Sequence, residues 1–120
     1  MQLPNLEEMS AEEKLWFAYS IAGMVVADGH TDPSEMNFLR DAINFLQDKE
    51  EINKIMVVIK EGKTPEMKPL DIDPKQSFLM LKYLAQLMVV DADLSTKEIS
   101  FFLLTGRLLG FNNDILNKLW

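Results

Sequence analysis

The chain has 120 residues, 48% hydrophobic and 26% charged, with a formal net charge of -7 and no cysteine. That is enough for one domain with a real core, and the lack of cysteine excludes disulfides and thiolate metal sites. Nineteen acids against 12 Lys and Arg argue against nucleic acid, which needs clustered cations, and favour cations or basic protein surfaces as partners.

Helix signals dominate from the start. Pro4, Glu7 and Glu8 replace the basic and apolar regions of a secretory leader. The uncharged stretch from Leu15 to Ala27 has thirteen residues, whereas a bilayer span needs about 20. A soluble, cytoplasmic chain that does not span a membrane is expected. Ser10-Ala11-Glu12-Glu13 is a capping box, and it opens a helix over about 10–27. Leu15, Trp16, Phe17, Tyr19, Ile21, Met24, Val25 and Val26 make that helix apolar on nearly all sides, which predicts a central position. Gly29 supplies its stop.

Asp32 is a good N-cap, Pro33 suits the first helical position and Glu35 completes a box. The second helix buries Met36, Leu39, Ile43 and Leu46, with Phe38 and Phe45 widening the face. A third helix over about 48–61 buries Ile52, Ile55, Met56 and Ile59, and Gly62 ends it. The stretch from Gly62 to Asp73 holds Pro65 and Pro69 and reads as a linker, with room for one helical turn near 65–68. Asp73-Pro74 starts a second largely apolar helix over about 74–91, expected to share the centre with the first. Ser95-Thr96-Lys97-Glu98 caps a helix over about 96–109, Gly110 stops it, and a short last helix starts near Asn113. No segment alternates with period two, so no sheet is expected. Of the eight methionines, Met24, Met56, Met80 and Met88 fall at core spacing, whereas Met9, Met36 and Met67 are candidates to face a partner.

Two stretches 63 residues apart carry the same arrangement of acids. In Asp28 to Glu35 and again in Asp91 to Glu98, an Asp ends an apolar helix and a Glu follows seven residues later inside the next. Residues 14–46 and 77–109 share six identities at this offset, among them Ala22/Ala85, Asp28/Asp91, Glu35/Glu98 and Phe38/Phe101. The expected fold is therefore an all-α, compact bundle of six or seven helices. It is built from two pseudo-repeated helix-loop-helix halves, over about 10–46 and 74–109.

Val26-Ala27-Asp28-Gly29 followed by Glu35 resembles the Ala-Asp-Gly, five residues, Glu signature of the TerB-like family, named for tellurite resistance. Val90-Asp91-Ala92 followed by Glu98 is similar to the degenerate second copy, with Ala92 in place of Gly and Asp93 beside it. Either Asp91 or Asp93 can therefore face the site. The resemblance covers roughly 10–112 and implies one TerB-like helical domain over 1–120. It also implies a metal site made by Asp28, Glu35, Asp91 and Glu98, and a role in protein interaction or in tellurite and stress response.

The residues themselves leave two readings of these acids. Glu35 and Glu98 are each the third helical residue behind Asp32 or Ser95, so a capping box explains them without a ligand. Asp28 and Asp91 end helices, where the macrodipole disfavours an acid by roughly 0.3–1 kcal/mol. An Asx turn, a salt bridge to Arg40, Arg107 or a Lys, or a shared cation would compensate. All-oxygen ligands suit Ca²⁺ or Mg²⁺, and His30 is the one nitrogen donor within the first loop. Asp28 to Glu35 spans eight residues, not the EF-hand's twelve. No nucleophile motif or phosphate loop is present, so a non-enzymatic protein is expected. The alternative to a metal-binding module is a metal-free acidic protein-interaction domain.

Overall fold

The structure, a computed structural model, describes residues 4–28, 33–90, 96–112 and 114, without the side chains of 28 and 88–90. Among these residues it is all-helical, with no strand. Five α-helices follow one another: α1 (Ala11–Asp28), α2 (Pro33–Ala42), α3 (Lys49–Lys60), α4 (Pro74–Val90) and α5 (Thr96–Leu108). Single 3₁₀ turns lie at Leu6–Glu8 and Asn44–Leu46. The radius of gyration, 13.3 Å, is that of a compact chain of this length.

Local chemistry sets the helix ends. Glu13 N–H donates to Ser10 Oγ (3.1 Å) and Ser10 N–H to Glu13 Oε1 (2.7 Å), the reciprocal box the sequence predicts. Asp48 Oδ1 accepts from the amides of Glu50 and Glu51 and so starts α3. Gly62 (φ 76°) and Gly110 (φ 94°) turn left-handed after α3 and α5. There the amides of Lys63 and Phe111 reach back to the carbonyls of Val58 and Gly106, closing both helices with a Schellman motif.

α1 is the hub, packing against α2, α3, α4 and α5, as its all-round apolarity predicts. Phe17, Ala18, Ile21 and Ala22 are fully buried. The Phe17 ring stacks on Phe45 (5.6 Å) and meets Tyr83 edge-on (5.5 Å). α4 packs chiefly against α1 and α5, so the expected sharing of the centre between two helices holds for α1 more than for α4.

Five of the expected helices are α-helices among the described residues; the last one expected, from Asn113, lies outside them. Several expectations need correction. No turn forms near 65–68; residues 63–73 run without helix. This stretch is strapped down: Trp16 Nε1–H donates to the Lys68 carbonyl (2.6 Å), and Leu70 N–H to the Leu108 carbonyl (3.0 Å). α2 stops at Ala42, four residues before the end of its apolar pattern, and the chain then tightens into a 3₁₀ turn and leaves through Gln47 at φ 53°. That break still sends Ile43 into the core. Phe38, expected on the buried face, is 40% exposed, whereas Met9, expected to face a partner, is 5% exposed. The amide of Asn5 and the side chain of Gln76 bond reciprocally, which holds the segment before Met9 against α4.

Candidate functional site

The four acids derive from two helix-to-helix connections. Asp28 is the last residue of α1, and Glu35 is the third of α2. Glu98 is the third of α5. Asp91 and Asp93, with the capping residues Asp32 and Ser95 and with Gly29 and His30, lie outside the described residues, as does the Asp28 side chain. The described part of the candidate set is therefore Glu35 and Glu98. Each engages a neighbouring group.

Their environments differ. Glu35 is half-buried, whereas Glu98 is 3% exposed. The buried face of α5 is Glu98, Phe101, Phe102, Thr105 and Gly106. This is the i, i+3, i+4, i+7 stripe of a core-facing helix, and its first position is a carboxylate. A capping box does not require such burial: Glu13, whose box with Ser10 is fully formed, keeps partial exposure. A carboxylate held at a core position must be paired with a cation, hydrogen-bonded or protonated.

α5 comes unusually close to α1. A Cβ built on Gly23 would fall on the Phe101 ring, so the glycine makes room for the aromatic one turn beyond Glu98. This contact is not legible in the sequence, because a glycine inside a helix signals only a propensity cost. The burial of Glu98 was readable in principle, since its spacing to Phe101, Phe102 and Thr105 continues the apolar stripe. The buried serine and threonine hydroxyls are satisfied locally. Ser20 Oγ donates to the Phe17 carbonyl, Ser77 Oγ to the Asp73 carbonyl and Thr105 Oγ1 to the Phe101 carbonyl. The buried Gln86 Oε1 has no hydrogen-bond partner among the described residues.

Among the described residues no three His, Asp or Glu side chains gather to hold an ion. No described helix is long and apolar enough to cross a membrane. Chemically, Glu98 offers carboxylate oxygens one turn from the α1–α5 crossing, donors that suit hard cations rather than zinc or copper. No protein-family model, curated protein or solved structure matches the chain.

Proposed function

We propose that the chain is a single-domain, non-enzymatic TerB-like module in which Asp28, Glu35, Asp91 and Glu98 hold one divalent cation and whose surface docks on another protein. The setting is cytoplasmic, with tellurite or stress response as the process that the resemblance implies. The burial of Glu98 at the head of the α5 core stripe carries the reading. Glu98 already engages a neighbouring group, and a carboxylate so placed has further oxygen lone pairs that a cation could take.

The duplication supports it. α1 and α4 start at Ala11 and Pro74, and α2 and α5 at Pro33 and Thr96, the same 63-residue spacing in both cases. Burial follows the same register. Phe17, Ala18, Ser20, Ile21 and Ala22 are buried, and so are Met80, Leu81, Tyr83, Leu84 and Ala85. Leu39 and Ile43 of the first half correspond to Phe102 and Gly106 of the second, all four buried. Two hairpins of one design, packed through α1 on α4 and α5, would present their acids to a common ion. Oxygen donors favour Ca²⁺ or Mg²⁺.

Thermal melting with Ca²⁺, Mg²⁺ or Mn²⁺ tests this. A bound ion raises stability by about 2.7 kcal/mol at a hundred times its Kd. Asp28→Asn with Asp91→Asn should abolish that gain and, by removing repulsion, stabilise the metal-free protein. No shift with any of the three ions at millimolar concentration rejects the cation site and leaves the metal-free interaction domain.

A further inference from the structure

A groove of about 500 Å³ runs between α2 and α3. Met36, Asn37 and Arg40 form one wall and Met56, Val57 and Lys60 the other. Each wall repeats one arrangement, a methionine followed one turn later by a cation. In the second wall Val57 is 55% exposed, a large apolar side chain left open to the groove. Among the described residues no acid lines it, although the chain as a whole carries a charge of -7. The ion pairs among the described residues join Lys54 to Glu51 (3.5 Å) and Lys63 to Glu61 (3.1 Å), and neither involves Arg40 or Lys60. Both cations sit in the last turn of their helices, where the macrodipole favours a positive charge without a carboxylate partner. They remain available to an incoming anion.

We propose that this groove docks an acidic amphipathic helix of a partner protein, which lays its apolar side against Met36, Met56 and Val57 and its carboxylates on Arg40 and Lys60. The inference rests on the reading of the chain as a docking module and names the partner's chemistry. Charge complementarity decides the occupant, because a basic helix would meet two unpaired cations here, at a cost to binding. The shape fits as well: two helix walls with a thioether floor form the kind of trough that takes a helix by anchors at i, i+3, i+4 and i+7. A small amphiphilic anion is less well served, since such ligands need a cleft that encloses most of their surface.

The test is a displayed library of helical peptides about four turns long. Apolar residues are fixed at the anchor spacing, and the other positions vary among Glu, Lys, Ser and Ala. Panned on the whole chain, it should enrich Glu-rich sequences. A synthetic peptide of that type should shift the amides of α2 and α3, weaken with added salt, and lose about tenfold or more in affinity against Arg40→Glu with Lys60→Glu. Val57→Asp should weaken it independently. All three positions are exposed, so unchanged circular dichroism and melting will show that the variants fold. Enrichment of no peptide, or Glu-rich binders indifferent to the charge reversal, would overturn the proposal. So would dodecanoate shifting the groove amides where no peptide does. Lys-rich binders that ignore the reversal would also overturn it while leaving a docking module that works through its acidic loops.

Discussion

At Gly23 the α1 backbone and the Phe101 ring fill adjoining space, with no room for a methyl group between them. Helix propensity alone says that Gly→Ala in a helix stabilises by up to about 1 kcal/mol. The crossing reverses the sign: Gly23→Ala should destabilise by about 1–3 kcal/mol in urea unfolding, the usual cost of overpacking. Phe101→Leu should absorb part of that loss, so that the double variant is more stable than additivity predicts. Tyr83 offers a second residue-scale check. Burial raises its phenol above the ordinary 10.0, so the fold favours the protonated ring. The associated stability is fully present below pH 10 and is lost as pH rises through the raised value. Between pH 9 and 11.5, wild type should lose stability more steeply than Tyr83→Phe. Parallel curves would mean that the phenol ionises as freely in the folded as in the unfolded chain.

At the scale of elements, much was legible because helix ends are local chemistry. The Ser10 box and the left-handed glycines Gly62 and Gly110 follow from residue type and spacing. They place α1, α3 and α5 to within a residue or two. What stayed hidden depends on contacts far apart in sequence. Nothing near Ile43 signals the early end of α2, since Gln47 adopts a left-handed φ usually left to glycine. The stretch at 63–73 looked like a free linker because its anchors, Trp16 and the Leu108 carbonyl, are 52 and 38 residues away from the groups they hold. Of the candidate site, the acids, their spacing and the stripe that carries Glu98 inward were readable, whereas the close approach of Phe101 to Gly23 required knowing that α5 presses on α1. The strap yields its own prediction. Trp16→Phe removes the donor to Lys68 and should cost about 1 kcal/mol. It should also speed hydrogen exchange at the Leu70 amide, which bonds to Leu108. An unchanged exchange rate there would mean that the segment is held without the indole.

For the whole molecule, the central claim is that duplication brings the acids of two halves to one ion. The starts of α1 and α4, and of α2 and α5, share one 63-residue spacing, and α1 packs against the other four helices; in a chain of 19 acids and 12 Lys and Arg, the proposed cation would relieve repulsion. The α2–α3 groove is lined by Arg40 and Lys60, opposite in sign to the acids proposed to hold the ion. The two proposals invoke different side chains, acids for the ion and Arg40, Lys60 and Val57 for the partner, so substitutions can test them separately. Mn²⁺ is the most direct probe of the first, because a paramagnetic ion broadens amide resonances only near itself. The account predicts one Mn²⁺ per chain and simultaneous broadening around Asp28–Glu35 and Asp91–Glu98, both lost in Glu98→Gln. Broadening of one segment without the other, or of neither at millimolar Mn²⁺, would contradict it.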